Sequence, residues 1–156
     1  MGLDVTVARL FAFVGPYLPL DRHFAIGNFV ADALAGRSIL VRGDGSPVRS
    51  YMYAADMAVW LWVMLLHERA AGATFNVGSE RSISIAETAR LVAAQCGAEM
   101  DVTVLGGANR GAGDRYVPST RRARDELGVS EIVGLPEAVR RTLAWSRATA
   151  TASPEA

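Results

Sequence analysis

The first long apolar run of the chain covers Val5 to Val14 and stops at Gly15-Pro16. β-Branched and aromatic residues dominate this run, which favours a strand, and the glycine-proline pair is a turn signal. Because few polar residues interrupt the run, the pattern predicts a strand that is buried on both faces, as in a parallel sheet. Such a strand needs neighbours, and the residues before Val5 provide none. The strand therefore indicates part of a larger sheet.

Later segments have the apolar spacing of helices. Residues 24–35 repeat apolar side chains at helical intervals and are followed by Gly36. Residues 57–72 form an apolar helix, for which Asp56 is the expected N-cap and Gly72 the expected end. The apolar part of this helix has about eleven residues, whereas a membrane span needs about 20. We therefore expect a buried helix and no membrane segment.

Ser84 and Glu87 have the S-x-x-E spacing of a capping box, which predicts a helix that starts there and ends at Gly97. Two more helices are expected at residues 119–128 and 135–148, and short strands at 38–41, 74–78 and 99–105. The tail at 149–156 is predicted to be disordered. Together these elements predict a mixed α/β chain.

Residue counts exclude several classes of partner. All 16 basic residues are arginine and balance 16 acidic residues, so the basic excess typical of nucleic-acid binding is absent. Cys96 is the only cysteine, which excludes an intrachain disulfide and a cysteine zinc cluster. His23 and His67 have no metal-ligand spacing, and we expect no metal. The first residues lack the features of a signal peptide, and we expect a cytoplasmic protein.

A glycine-rich segment, VLGGANRGAG at 104–113, follows a predicted strand but differs from a dinucleotide-binding loop. The dinucleotide fingerprint needs glycines at i, i+2 and i+5, with a helix opening at the last of them. Counted from Gly106, position i+2 is Ala108, and the segment DRYVPST that follows does not open an apolar helix. We interpret this segment as a surface loop or lid, and we find no cofactor fingerprint in the chain.

Three polar side chains occupy positions where a ligand could reach them. Arg49 follows a tight glycine turn at residues 43–45, and Asn28 lies early in an apolar helix. Arg115 follows the glycine-rich loop at a predicted strand start, where Asp114 could orient it. Arginine presents a planar fork of donors that matches a phosphate group. The alternatives are a solvated arginine beside a β-turn, and an asparagine that serves a cap or the core.

Four segments in order carry a family resemblance: RLFAFVGPYLP, HFAIGNFVADALAGRSILVRGDGSPVRSYMYAADMA, FNVGSERSISIAETARLV and GDRYVPSTRRARDELG. They resemble the C-terminal part of the extended short-chain dehydrogenase/reductases, which include the NAD-dependent nucleotide-sugar epimerases and dehydratases. The first segments also resemble the branch described as dTDP-glucose 4,6-dehydratase-like. The resemblance runs from about Arg9 to about Trp145. It implies the α/β substrate-binding portion of a Rossmann-type enzyme, beginning at a late strand of the parallel sheet.

The resemblance assigns roles to the three polar residues. Arg49 and Asn28 would contact the diphosphate of a nucleotide sugar, and Arg115 would close on the same diphosphate or on the ribose. Two arginines and an amide suit a ligand that carries about two negative charges.

The resemblance also implies contacts for residues outside this group. Leu40, Val41 and Arg42 are expected along the nucleotide base. Gly15 and Pro16 would lie near the nicotinamide of NAD if the Rossmann half is present. Ala12 stands where the family commonly has an asparagine, which leaves one substrate contact unassigned.

Family catalysis uses a Tyr-x-x-x-Lys pair, and this chain has no lysine. That pair and the glycine-rich cofactor motif belong to an N-terminal Rossmann half of roughly 150 residues, which the sequence lacks. We therefore assign no catalytic residue. NAD is expected in the complete enzyme, and no cofactor is expected for this chain alone.

These inferences divide the chain into a late Rossmann strand with its turn at 1–16, a substrate-binding α/β domain at 17–148 and a tail at 149–156. The expected function is the nucleotide-sugar-binding portion of an NAD-dependent sugar epimerase or dehydratase, inactive alone. The alternative is a non-catalytic binding or assembly module that works with a separate Rossmann half. In either case the strand edge is expected to pair with such a half or with a second copy.

Overall fold

The computed structural model describes residues 3–22, 24–96, 100–106 and 114–152, with side chains as far as residue 150. The strands in these ranges are β1 (Val7–Leu10), β2 (Phe13–Val14), β3 (Ile39–Val41), β4 (Val48–Arg49), β5 (Met52–Tyr53), β6 (Thr74–Val77), β7 (Ile83–Ser84), β8 (Val102–Val104) and β9 (Arg115–Tyr116). The helices are α1 (Ala25–Leu34), α2 (Ala54–Leu66), α3 (Ile85–Ala94), α4 (Arg121–Leu127) and α5 (Leu135–Ala152), with a 3₁₀ turn at Glu68–Ala70.

The strands form small and mostly parallel sheets. Strand β1 pairs with β6, β2 with β5, and β3 with β8, in each case in parallel. In a three-stranded sheet, β4 lies between β7 and β9, antiparallel to the first and parallel to the second. Helices connect and cover these sheets, so the predicted α/β class is confirmed.

The apolar run at 5–14 is not the single, fully buried strand that its pattern predicts. It forms β1 and β2, which pair with different strands on either side of a break at residues 11 and 12. Val7 and Leu10 are about half exposed, so burial on both faces is not observed. The neighbours of both strands come from later in the chain. The second edge of β1 has no partner strand among the described residues.

Helix α1 confirms the helix expected at residues 24–35. Its buried residues recur at helical spacing and face α3 and α5, where the larger of two apolar clusters forms. Gly27 lies against the preceding loop so closely that a Cβ there would overlap the Pro19 carbonyl oxygen. The chain leaves the helix through Gly36, whose φ of +66° is in the left-handed region that favours glycine.

The predicted N-cap of α2 is wrong. The helix begins at Ala54, so Asp56 lies within its first turn and is 4% exposed. Its Oδ2 atom accepts hydrogen bonds from the backbone N–H groups of Ile132 and Val133, both at 2.9 Å. Asp56 thus connects the start of α2 to the loop before α5, a contact across 76 residues that local capping rules do not include.

Helix α2 is also shorter and less buried than its composition predicts. It ends at Leu66, and the 3₁₀ turn separates it from Gly72. Trp60 is buried in the second apolar cluster, whereas Trp62 is 64% exposed and Leu66 is 76% exposed. The helix therefore buries one side and presents an apolar surface on the other. None of the helices in the described ranges combines the length and hydropathy needed to cross a membrane.

The capping box of α3 is confirmed in both directions. The Ser84 hydroxyl accepts from the Glu87 backbone N–H at 3.2 Å, and the Glu87 carboxylate accepts from the Ser84 N–H at 2.8 Å. The Ser84 hydroxyl also donates to the Glu87 carboxylate at 2.7 Å. This bond, and then the bond from the Ser84 backbone N–H, lower the pKa of Glu87. The helix ends at Ala94, before the predicted end at Gly97, which lies outside the described residues.

Replacing Ser84 by alanine is expected to lower the free energy of unfolding by about 1 kcal/mol, because the first turn of α3 loses its cap. Urea denaturation of the purified chain measures this change. The matched control is Ser82→Ala, two residues upstream of the cap. An equal loss in both variants would show that the capping box is not the cause.

The two late helices are found where the sequence predicts them. Helix α4 is followed by Gly128 at a φ of +69°, and Pro136 lies in the first turn of α5. Helix α5 continues to Ala152, so the segment predicted to be disordered begins in helical conformation. Residues 153–156 lie outside the described residues.

Candidate functional site

A tight turn positions the start of β4. The Asp44 carboxylate accepts from the Ser46 backbone N–H at 2.9 Å and from the Ser46 hydroxyl at 2.8 Å, and these two bonds, in that order, lower the pKa of Asp44. Gly45 has a φ of +73°, and a Cβ there would come within 2.6 Å of the Ala86 Cβ. Glycine is therefore required where the turn packs against α3, and this packing places Arg49 four residues later.

The Arg49 side chain is held by backbone and carboxylate oxygens. Its Nη1 donates to the carbonyls of Val48 at 2.9 Å and Asp114 at 3.0 Å, and its Nη2 donates to the Asp114 Oδ2 at 2.7 Å. The hydrogen bond and then the charge of Arg49 lower the pKa of Asp114. Asp114 therefore orients Arg49, and the expectation that it orients Arg115 is wrong.

Arg49 retains donors for a ligand. A guanidinium group has five N–H donors, and the contacts to Val48 and Asp114 use three of them. The side chain is only 25% exposed, so its position is restricted before any ligand arrives. A second anion can therefore bind the remaining donors, which lie on Nε and Nη2.

Arg115 lies on the other face of the same sheet. The register pairs Arg49 with Tyr116 and Val48 with Arg115. Because successive side chains of a strand point to opposite faces, Arg49 shares a face with Tyr116 and not with Arg115. Arg115 is exposed and lines neither of the two cavities described below. The structure does not bring Arg115 to Arg49, and its contact with a ligand stays a prediction.

A polar cavity of about 810 Å³ collects the other candidate residues. Asn28 of α1 is exposed and lines this cavity. Leu40, Val41 and Arg42, at the end of β3, line it together with the glycine turn. Val41 is buried, whereas Leu40 is 40% exposed, as strand alternation requires. The resemblance placed Asn28 with Arg49 and Arg115 on the diphosphate, whereas in the structure Asn28 shares a cavity with residues 40–42 that Arg49 and Arg115 do not line. The contacts of these four residues with a base or a diphosphate stay predictions.

A second cavity, of about 610 Å³, was not predicted from the sequence. Aromatic and aliphatic side chains form most of its wall, and Arg49 and Tyr51 also line it. The rings of Phe11 and Tyr116 lie 4.8 Å apart between centroids. Burial raises the pKa of Tyr51, which opposes its ionisation. We call this the aromatic cavity. Its residues come from separate elements of the fold. In the sequence, only the alternation of Phe11 and Phe13 could have indicated a shared aromatic surface.

The two cavities are neighbours. Ala25, Pro47 and Ile85 line both of them, so they meet at the start of α1, the turn before β4 and the start of α3. A ligand longer than one cavity can therefore lie in both, close to Arg49.

The Gly15-Pro16 turn follows β2 and is closely packed. A Cβ on Gly15 would lie 2.8 Å from the Cβ of Ala54, so the start of α2 requires glycine at this position. Tyr17 has a φ of +62°, uncommon for a residue with a side chain, and its ring contacts that of Trp145 in a tilted arrangement, with 4.5 Å between centroids. Gly15 and Pro16 line neither cavity, and their position near a nicotinamide stays a prediction.

No cluster of three or more metal-ligating side chains occurs in the part of the chain that the structure describes.

Parallel strand pairs covered by helices define an α/β protein in which a restrained arginine lines one of two adjoining cavities. A family profile described as the NAD dependent epimerase/dehydratase family matches residues 1–78, half of the sequence. The chain belongs to this family. The resemblance to the extended short-chain dehydrogenase/reductases that act on nucleotide sugars is therefore confirmed.

Two curated relatives illustrate the sequence similarity. The chain is 30% identical over 146 residues to UDP-glucuronic acid decarboxylase 1 of Xenopus tropicalis, covering 94% of this chain and 34% of that protein. It is 28% identical over 146 residues to dTDP-glucose 4,6-dehydratase of Streptomyces niveus, covering 94% of this chain and 43% of that protein. The chain thus spans less than half the length of these relatives.

Solved structures confirm the fold. An epimerase from Methanothermobacter thermautotrophicus matches with a TM-score of 0.84 and 24% identity, over 96% of this chain and 45% of that one. A UDP-glucose 4-epimerase from Thermotoga maritima, solved with UDP-glucose, matches with a TM-score of 0.83 and 23% identity, over 96% of this chain and 48% of that one. The observed fold is therefore a portion of the Rossmann-type epimerase and dehydratase architecture.

Proposed function

We propose that this chain is the nucleotide-sugar-binding portion of an NAD-dependent sugar epimerase or dehydratase. The observation that carries the proposal is Arg49, whose guanidinium is restrained by Asp114 but keeps two donors at the wall of the aromatic cavity. A nucleotide diphosphate sugar supplies the anion that these donors fit. The role of this chain in the enzyme is to bind and orient the substrate.

The electrostatics of Arg49 favour a phosphate over a neutral ligand. Arginine forms charge-assisted and bidentate hydrogen bonds with phosphate oxygens, and these are stronger than hydrogen bonds between neutral groups. The limited exposure of the side chain strengthens the interaction further, because water and salt screen it less.

The position of the polar cavity supports a nucleotide at one end of the ligand. Asn28 offers both amide donors and a carbonyl acceptor, and Arg42 adds further donors. Leu40 supplies an exposed apolar surface against which a flat base can pack. Since this cavity adjoins the aromatic cavity, one extended ligand can place its base in the first and its sugar in the second.

We expect no complete NAD site among the described residues. No glycine fingerprint opens a helix among them, and the chain has no lysine for the family's catalytic pair. In a complete enzyme of this family, the chemistry that NAD would supply is reversible hydride transfer with the sugar. We therefore derive no catalytic step for this chain, and we expect the purified chain to show no epimerase or dehydratase turnover.

A second candidate function is an assembly module that joins a separate NAD-binding half. The observations that favour it are the edge of β1 without a partner strand among the described residues, and the exposed apolar side chains of Leu10, Trp62 and Leu66. A second copy of the chain could cover the same surface. Co-purification with an NAD-binding polypeptide encoded next to this gene would favour this candidate over a single longer polypeptide.

Calorimetric titration with UDP-, dTDP-, CDP- and GDP-glucose tests the proposed function directly. We expect saturable binding of at least one of them, and the preferred base identifies the nucleotide. Glucose serves as the control, and it should not bind measurably because it offers no anion to Arg49. Folded protein that binds none of the four nucleotides would contradict the proposal for the isolated chain.

A further inference from the structure

Residues 17–22 form a wall that the two cavities share, and we call this segment the strap. Its last five residues line one cavity or the other: Leu18 and Pro19 the aromatic cavity, and Leu20, Asp21 and Arg22 the polar cavity. The strap belongs to no helix or strand, so no ladder of backbone hydrogen bonds fixes it. The shape of both cavities therefore depends on the contacts that hold the strap in place.

Helix α1 holds the middle of the strap. A Cβ on Gly27 would overlap the Pro19 carbonyl oxygen and would lie 3.7 Å from the Leu20 Cα, so the backbone of the strap lies directly against the helix. Gly27 is buried by this packing. The contact fixes the strap at residues 19 and 20, whereas the start of the strap depends on the turn at Tyr17.

That turn has an unfavourable backbone conformation. The Leu18 backbone N–H donates to the Gly15 carbonyl at 3.2 Å, which closes a four-residue turn. Pro16 occupies the second position of the turn, and Tyr17 occupies the third with a φ of +62°. A positive φ at the third position is typical of a type II turn, where glycine is favoured. Among the described residues only Tyr17 has a positive φ without being glycine, and such a conformation persists only where its surroundings stabilise it.

Trp145 of α5 supplies a stabilising contact. The rings of Tyr17 and Trp145 lie 4.5 Å apart between centroids, at an interplanar angle of 52°. Aromatic rings at this separation attract each other beyond the effect of the area they bury. Because Tyr17 is 83% exposed, little other packing holds its side chain. The gain from one aromatic pair and the cost of one left-handed residue are of similar size, so the turn keeps its conformation by a small margin.

We propose that Tyr17 and Trp145 form a latch that positions the strap and thereby lets the C-terminal helix shape both cavities. With the ring contact intact, the turn keeps its left-handed conformation and the strap lies on α1. Without the contact, the turn relaxes to an ordinary backbone conformation, and the start of the strap, including Leu18, moves away from the aromatic cavity. Both latch residues line neither cavity, so they act as positioning residues. The latch goes beyond the proposed function, which assigns no role to α5.

Limited proteolysis with trypsin tests the latch without any ligand. The Arg22 side chain is 71% exposed at the end of the strap, and the rate of cleavage after Arg22 measures how often the strap opens. Tyr17→Ala removes the ring contact and is expected to raise this rate by about threefold or more, the factor that corresponds to one aromatic pair. Tyr17→Phe keeps the ring and should be cleaved at the wild-type rate. Cleavage after Arg69, in the 3₁₀ turn outside the strap, should not change in either variant.

A double-mutant cycle tests whether the two rings act through each other. Trp145→Ala removes the same contact from the side of α5 and introduces the residue with the highest helix propensity. Its effect on cleavage after Arg22 should equal that of Tyr17→Ala, and the double variant should be cleaved no faster than either single variant, because one contact can be lost only once. Effects that multiply in the double variant, or a Tyr17→Phe protein cleaved as fast as Tyr17→Ala, would overturn the latch.

Titration with UDP-, dTDP-, CDP- and GDP-glucose tests whether the latch shapes the cavities, and this arm rests on the proposed function. Each nucleotide sugar that binds the wild type should bind Tyr17→Ala about twofold or more weakly, because a smaller fraction of the protein has the strap closed. Tyr17→Phe should bind like the wild type. Wild-type affinity in Tyr17→Ala would overturn the link between latch and cavities. If none of the four binds the wild type, the proposed function fails, whereas the cleavage rates still decide whether the latch exists.

Discussion

Replacing Arg49 by alanine is expected to weaken the binding of a nucleotide diphosphate sugar by about 100-fold. Two charge-assisted hydrogen bonds to a diphosphate contribute about 3 kcal/mol together, and 1.4 kcal/mol corresponds to a factor of ten in the dissociation constant. The variant also leaves the Asp114 carboxylate without its ion-pair partner, and that negative charge then repels the diphosphate. Both effects act in the same direction. Calorimetric titration with the preferred nucleotide sugar measures the change.

Two variants separate the geometry of the guanidinium from its charge. Arg49→Lys keeps the positive charge but loses the planar fork, and it should bind with intermediate affinity. Arg121→Ala removes the same charge from an exposed ion pair with Asp125 on α4 and should bind like the wild type. Higher salt should weaken binding by the wild type more than by Arg49→Ala, because salt screens the interaction that the variant has lost. Wild-type affinity in Arg49→Ala would refute the assignment of this residue.

The largest effect on stability is expected from Asp56→Ala, which should lower the free energy of unfolding by about 2–4 kcal/mol. The substitution leaves the N–H groups of Ile132 and Val133 without their acceptor beside the apolar core. It also removes an acidic side chain from the first turn of α2, where the helix dipole favours one. The adjacent bond from Trp60 Nε1 to the Ser130 carbonyl, at 3.1 Å, holds the same loop and limits how far it can relax.

Urea denaturation of the wild type and the variant, followed by circular dichroism, measures the loss. Asp56→Asn keeps an acceptor oxygen in about the same place and should lose less stability than Asp56→Ala. Asp125→Ala, which removes a carboxylate from an exposed pair on α4, should change the free energy of unfolding by less than about 0.5 kcal/mol. If Asp56→Ala is as mild as Asp125→Ala, the two part-buried hydrogen bonds to Asp56 contribute little to stability.

The helices that could be predicted well are those specified by neighbouring residues. Helix α1 follows from apolar spacing and Gly36, and the start of α3 follows from Ser84 and Glu87, which lie three residues apart. A start signal alone was misleading at Asp56, because an aspartate before an apolar helix has the same local pattern whether it caps the helix or accepts bonds from a distant loop. Burial was misleading at Trp62, since composition does not distinguish the sides of a helix that is apolar all round.

The candidate site shows the same division. Sequence patterns and family resemblance selected Arg49, Asn28 and residues 40–42 as candidates, and only the structure places Asn28 and residues 40–42 along one cavity and Arg49 along its neighbour. Asp114 was expected to orient Arg115, but it holds Arg49, which is 65 residues away and reaches Asp114 only through the pairing of β4 with β9. Which face of the sheet Arg115 occupies depends on the same pairing. A one-residue shift in register would have reversed it.

The sequence by itself determined the α/β class, the family, the absence of a lysine for the catalytic pair, and the position of the arginine after the glycine turn. These properties depend on composition and on interactions within a few residues, which the order of amino acids specifies directly. Only the tertiary structure decided which carboxylate holds Arg49, what Asp56 binds, and that aromatic side chains from separate elements enclose a cavity beside the polar one. These properties depend on strand register and helix packing, which bring Asp114 to Arg49 across 65 positions and Val133 to Asp56 across 77.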